Sequence, residues 1–284
     1  TLWLFTYSDL KTMVIPSTAF ALFNGYAKFS SDSITSGMAC FMLARRTPFV
    51  LIWAWVNCLA FNVNNQRRAW SIEEDRINKP WRPMPAHRLS EPGAKILGVT
   101  AYSTALLVGS VVGGGTIQSA FLLILGYLYN DLRGGDKNVF ARNVLNGFGF
   151  TSFASGALDV AMQFRTDLET LSWLLLIALV VSTTIHTQDL YDQAGDSAIG
   201  RRTLPLVIGD SISRWMATFF ITIWSWMCPF FWRTTAVGYL LTTLLGTVVC
   251  LRLLVKRSVR EDKNTFILYN GWLVSLYLLP LFAS

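Results

Sequence analysis

The stretch Glu169-Thr-Leu-Ser-Trp173-Leu-Leu-Leu-Ile-Ala-Leu-Val-Val-Ser-Thr-Thr-Ile-His186-Thr-Gln188 carries a charge only at its start and runs straight into Asp189-Leu-Tyr-Asp192-Gln-Ala-Gly-Asp196. A helix needs roughly 20 mostly apolar residues to cross a bilayer. The first part therefore reads as a membrane span and the second as an acidic cluster at its end. Working outward, further apolar segments lie at 12–29, 44–65, 94–112, 117–130, 139–161, 212–228, 233–255 and 264–283, nine in all with 169–188. The expected fold is all-α, a polytopic membrane protein of nine transmembrane helices in one domain, residues 1–284. Pro16, Pro48 and Pro229 fall in or beside spans, and Gly113-Gly114-Gly115 separates two of them; membrane helices tolerate both.

Composition agrees. Of 284 residues 52% are hydrophobic and 14% charged, against about 25% charged in a soluble domain, and the mean hydropathy is +0.42. Disorder and a secreted disulfide scaffold are excluded with solubility. Cys40, Cys58, Cys228 and Cys250 are scattered in or beside apolar stretches without metal-ligand spacing, which reads as packing. The chain begins at Thr1, so targeting is not read from its N-terminus.

Nine crossings put the N-terminus and the loops after spans two, four, six and eight on one face. That face collects 19 of the 24 Lys and Arg residues, leaving Lys28, Arg45, Arg46, Arg165 and Arg233 for the other. The positive-inside rule assigns the rich face to the cytoplasm. Of the 17 acids, 13 follow the same geography, which orientation alone does not require, because Asp and Glu contribute little to it. Carboxylates to hold a cation and Lys or Arg to hold an anion fit a metal-chelated anion. No basic run with interleaved aromatics marks a nucleic-acid surface, so nucleic acid is not an expected partner.

Three stretches on that face carry the chemistry. At about 100° per residue, a helix continued through 189–196 would put Asp189 and Asp196 about 20° apart and Asp192 about 60° from Asp189, all on one side. Acids at a span end are functional suspects, and a divalent cation relieves their repulsion; a solvated turn paired with Arg201 and Arg202 is the alternative. The second stretch, from Asn62-Val-Asn64-Asn65-Gln66-Arg67-Arg68 through Glu73-Glu74-Asp75-Arg76-Ile-Asn78-Lys79-Pro80-Trp81-Arg82-Pro83, mixes oxygen donors with cations. Pro80 and Pro83 stiffen the backbone that presents Lys79 and Arg82, as phosphate binding would favour, although a charged loop stiffened by proline would look the same. The third, Tyr129-Asn130-Asp131-Leu-Arg133-Gly134-Gly135-Asp136-Lys137-Asn138, is a turn or a functional loop.

These features resemble the UbiA superfamily of intramembrane prenyltransferases, over nearly the whole chain. The resemblance implies a UbiA-like bundle around a central cavity and two Asp-rich motifs holding Mg2+ against a prenyl diphosphate. It carries over to Asp189, Asp192 and Asp196. The first motif departs from the usual Asn-Asp/Gln-x-x-Asp-x-x-x-Asp: counting back from Asn78-Lys79-Pro80, Asp75 takes the last acid, Ser71 replaces the middle one, and Asn65-Gln66 comes two residues early. With Phe5-Thr-Tyr-Ser-Asp9-Leu-Lys-Thr-Met-Val-Ile-Pro16, that departure looks like the fungal branch of membrane-bound terpene cyclases of the fumagillin-pathway type.

The resemblance thus implies metal contacts at Asp189, Asp192, Asp196, Asn62, Asn65, Glu74 and Asp75, with the four aspartates catalytic. Gln66, Lys79, Arg82, Arg133, Lys137, Arg201 and Arg202 are its candidate diphosphate contacts. The expected activity is Mg2+-dependent cyclisation of farnesyl diphosphate to a sesquiterpene, in a membrane for which the endoplasmic reticulum is a candidate. The alternatives are transfer of the prenyl chain to an aromatic or other acceptor and, from another class, an ion-coupled transporter, which does not need both motifs on one face. His186 is read as a hydrogen-bonding residue ahead of a base, and Asp159 as a structural partner.

Overall fold

The computed structural model describes residues 1–163 and 167–283; Arg165, counted above on the cation-poor face, lies outside them. Among the described residues the chain is helical with no strand, and one antiparallel bridge joins Thr234 to Ala283. Each expected apolar segment overlaps one long helix: α1 Ile15–Ser31, α2 Ser36–Gln66, α3 Glu91–Val112, α4 Thr116–Gly126, α5 Val139–Met162, α6 Leu168–Thr184, α7 Asp210–Phe231, α8 Ala236–Val255 and α9 Val259–Tyr277. Four of these, α2, α3, α6 (with the turn to Thr187) and α8, are long and apolar enough to cross a membrane. Length and composition thus mark four crossings where the hydropathy pattern pointed to nine. Helix α4 shows why: its 11 residues rise only about 16 Å, and the π-helical turn Tyr127–Asp131 continues it into the loop.

Helix boundaries follow local chemistry. Ser90, Asn138, Asp167 and Ser258 cap α3, α5, α6 and α9, each side chain accepting from a backbone N–H of the first turn, which satisfies a donor the helix cannot. Helix α3 ends where Gly113 turns left-handed at φ 77°. The next two glycines let the chain pass close to its neighbours: a Cβ on Gly114 would meet the Asp159 carbonyl at 2.6 Å, and one on Gly115 the Trp53 indole at 2.5 Å.

Helix α5 is the hub, packing on α1, α2, α4 and α6; α7, α8 and α9 form the far side, and α9 closes back on α1. Trp53, Trp173 and Trp272 are fully buried between them. Ile96, Val111, Ile117, Leu240 and Val255 point outward and are more than half exposed, as apolar side chains facing lipid would be.

Side-chain contacts sort the loops by end. The connections after α2, α4 and α6 are joined by Arg201 to Glu74 and Asp136, Lys79 to Asp192, and Arg68 to Asp131. Asp9 joins them through Arg82, and Lys263 through the face of Tyr191. At the other end Lys28 meets Asp167, and Arg46 reaches the carbonyls of Val112 and Val160. The two-sided distribution read from the charges is therefore a property of the fold.

Candidate functional site

Helix α2 runs out at Gln66, and the short helix Ala69–Asn78 that follows packs on the short helix Gln193–Ala198. Asn78 is the clasp between them: its Nδ2 donates to the Asp192 carbonyl at 3.0 Å and its Oδ1 accepts from the Gly195 N–H at 3.2 Å. A Cβ on residue 195 would sit 2.3 Å from Asn78 Nδ2, so glycine is what allows the approach. The two acidic stretches, far apart in sequence, share one wall in this way.

Between them opens a cavity with Asp9, Asn62, Asn65, Glu74, Lys79, Arg82, Arg142, Asp192 and Arg201 on its polar walls and Met13, Cys58, Phe61 and Phe153 on apolar ones. Lys79 Nζ meets Asp192 Oδ2 at 2.8 Å. Arg82 Nη1 is closed on both oxygens of Asp75, at 2.9 and 3.1 Å. Arg142 Nη2 meets Asp189 Oδ1 at 2.7 Å. Arg201 serves three acids, Glu74 at 2.8 Å, Asp136 at 2.7 Å and Asp196 at 2.8 Å.

This arrangement re-sorts the expected site residues. Asn62, Asn65, Glu74, Lys79, Arg82, Asp192 and Arg201 line the cavity. Asp75, Asp189 and Asp196 stand behind it and hold the arginines that do. The one-sided acidic helix expected at 189–196 is not formed: a 3-10 turn at Ile185–Thr187 gives way to turns, and helix resumes only at Gln193. Among the described residues no three His, Cys, Asp or Glu side chains converge as a ready-made metal cluster. Gln66 turns away, donating to the Phe5 carbonyl at 2.9 Å. Arg133 pairs with Asp136 and covers the Trp70 ring outside the cavity, and Lys137 and Arg202 are exposed. His186 hydrogen-bonds the Ser213 carbonyl, and Asp159 accepts from the Gly115 N–H; both are structural.

Sequence reasoning missed Arg142, Tyr129 and Asn146 as cavity residues. Arg142 and Asn146 sit four apart at the start of α5, hence on one helical face, and a cation inside an apolar segment is itself a functional signal.

Electrostatics favour keeping the walls charged. Burial opposes charge on Glu74, but Arg201, with Lys79 and Arg82, holds it below the usual carboxylate range. Lys79 stays above its ordinary value despite burial because Asp192 faces it. Two acids behind the walls are exceptions: burial raises Asp75 against the pull of Arg82, and pushes Asp196 up to about 7 against the pull of Arg201.

The donor set fits Mg2+, which binds one or two carboxylates together with phosphate oxygens and waters and needs no all-protein cage. Asp192 Oδ1 is buried without a hydrogen-bond partner. The amide nitrogens of Asn62 and Asn65 are engaged by Cys58 Sγ and Asn130 Oδ1, leaving their oxygens to accept.

Comparison with known proteins agrees with this geometry. The chain is 26% identical to somaliensene A/B synthase of Streptomyces somaliensis over 99% of its length and 91% of that protein. It is 27% identical to fumagillin beta-trans-bergamotene synthase of Aspergillus fumigatus, over 99% of this chain and 92% of that one. Prenyltransferases occur among the relatives too. The fold matches a UbiA homolog from Archaeoglobus fulgidus bound to GPP and Mg2+, with TM-score 0.61 and 10% identity over 96% of this chain and 99% of the other. The UbiA prenyltransferase family pattern covers residues 13–276, and the chain belongs to that family of membrane enzymes.

Proposed function

We propose that this single-domain protein, residues 1–284, is a membrane-embedded terpene cyclase that ionises farnesyl diphosphate in a Mg2+-dependent step and closes the resulting carbocation to a sesquiterpene. The observation that carries the reading is the cavity itself, with four buried cations and free acid and amide oxygens on its polar walls and Phe61, Phe153 and Tyr129 among its other lining residues. Its similarity to two terpene synthases over almost their full lengths supports the same choice. We place its nine helices in the bilayer, the short α4 lengthened by the turn Tyr127–Asp131, with the cavity's end on the cytoplasmic side, following the cation bias, and the endoplasmic reticulum as the candidate membrane.

Asp192, Glu74, Asn62 and Asn65 would hold Mg2+, which when bound supplies charge stabilisation for the departing diphosphate. Lys79, Arg82, Arg142 and Arg201 bind the diphosphate oxygens and stabilise the negative charge that grows as the C–O bond breaks. Asp75, Asp189 and Asp196 orient those arginines. Phe61, Phe153 and Tyr129 face the prenyl chain; their rings stabilise a cation by cation-π attraction, and burial excludes the water that would trap it as an alcohol.

A second reading, transfer to an acceptor, is favoured by one observation. A neighbouring cavity lined by Trp3, Tyr7, Lys11, Tyr191 and Lys263 shares Asp9, Thr12, Lys79, Arg82 and Gln188 with the first, so an acceptor has somewhere to sit. Detergent-purified protein with farnesyl diphosphate and Mg2+, and no acceptor, is expected to yield a cyclic hydrocarbon by gas chromatography and mass detection. Diphosphate release that appears only on adding an aromatic acceptor would move the assignment to transfer.

A further inference from the structure

Asp9 belongs to neither acidic stretch, yet it lines the same cavity. The segment that carries it is anchored on both sides. Phe5 is fully buried, its carbonyl accepts from Gln66 Nε2 at 2.9 Å, and Trp55 Nε1 donates to Thr6 Oγ1 at 3.2 Å. The Asp9 N–H donates to the Thr6 carbonyl at 2.8 Å, and its own carbonyl accepts from the Met13 N–H at 2.7 Å. These bonds fix the backbone at the start of the π-helical turn Leu10–Val14 and direct the side chain to the cavity wall.

The carboxylate is free to bind something. Its nearest cation, Arg82 Nη2, stands 3.6 Å from Oδ2, and among the described residues no hydrogen bond engages either oxygen. Arg82 is closed on Asp75 instead, so the acid that ends the first stretch has both oxygens occupied. Ser71 stands where a middle acid would be, and of Glu74 one oxygen is held by Arg201. The first acidic stretch therefore brings one free carboxylate oxygen to the cavity, the second of Glu74. Across the same cavity, Asp192 presents a buried Oδ1 with no partner.

We propose that Asp9 is a metal-facing carboxylate of this site, supplying from the N-terminal segment the ligand oxygen that Ser71 and the Arg82-bound Asp75 do not. The proposal rests on the metal-diphosphate reading above. Mg2+ with a diphosphate needs only one or two carboxylates, so one on each wall of the cavity suffices. A ligand must offer a lone pair, and on these walls Asp9 offers two oxygens without a hydrogen bond, while Asp192 and Glu74 each offer the one that Lys79 and Arg201 leave.

The test is a Mn2+ titration of the detergent-purified full chain, followed by electron paramagnetic resonance, with a non-ionising thiolo analogue of farnesyl diphosphate present. Asp9→Asn is expected to weaken Mn2+ binding by about tenfold or more at an unchanged melting temperature, with Asp9→Glu restoring part of it. In EDTA the same variant should bind the analogue no more weakly than wild type, because removing a negative charge does not hurt an anion. Wild-type Mn2+ affinity in Asp9→Asn, beside a loss in Asp192→Asn, would overturn the role of Asp9 and leave the site reading standing. Weakened analogue binding by Asp9→Asn in EDTA would also overturn it, since Asp9 would then act only by orienting Arg82. No Mn2+ binding by wild type would overturn both readings. Should Asp9→Asn melt early, the same titration of Asp9→Glu against Asp9→Ser decides: equal affinities sink the proposal, tighter binding by Glu supports it.

Discussion

At the end of the bundle away from the cavity, Arg46 donates to the backbone carbonyls of Val112 and Val160, and Asp159 accepts from the Gly115 N–H. At the cavity end, Arg82, Arg142 and Arg201 meet carboxylates. The partners differ in kind. A carbonyl in a helix end is fixed by the backbone and neutral, so the Arg46 arrangement ties loops together and leaves nothing to exchange. A guanidinium that shares a carboxylate keeps further donors in its planar fork, and can take a phosphate oxygen while the acid behind holds its plane. On the reading proposed above, the first end closes the bundle and the second binds.

Breaking the second kind of contact should be the costliest. Arg142→Met leaves Asp189 buried without its cation, which by analogy with other buried pairs lowers stability by about 3–5 kcal/mol, read as a large drop in the detergent melting temperature. Asp192→Asn keeps the shape of its wall but leaves buried Lys79 without its anion, so the melting temperature should fall as well, and in the folded fraction turnover of farnesyl diphosphate should drop by roughly 10²–10³-fold; turnover near wild type would remove Asp192 from the chemistry. Arg46→Met sharpens the contrast from the other side: loss of its carbonyl contacts should cost about 1–3 kcal/mol with KM unchanged. Lys137→Gln, at an exposed position outside the cavity, should alter kcat/KM by less than about twofold, within the few tenths of a kcal/mol usual for surface changes.

Much of this contrast was legible beforehand. Apolar runs located every long helix, because burial in lipid or protein selects the same side chains along a whole segment. The charge bias separated the two ends for a related reason, since short loops cannot choose which end they leave from. Individual roles at the site were harder to read. Asp75 and Asp192 look alike in sequence, and what separates them is that Arg82 closes on one while the other keeps an oxygen free. Spacing also misled at 189–196, where helical geometry was extended through a stretch that turns. Arg142 escaped because it fell inside the apolar segment 139–161, read as a membrane span, although Asn143 and Asn146 beside it already broke the apolar pattern.

Arg201 binds acids contributed by the connections after α2, α4 and α6, and this constrains the order of events as the chain is made. Until residue 201 has left the ribosome, Glu74 and Asp136 lack the cation they later share. The six long helices that precede Arg201 can then form while the cavity is still unassembled, so on the reading proposed above a nascent chain is not committed to capturing diphosphate before its last third arrives to complete the grip.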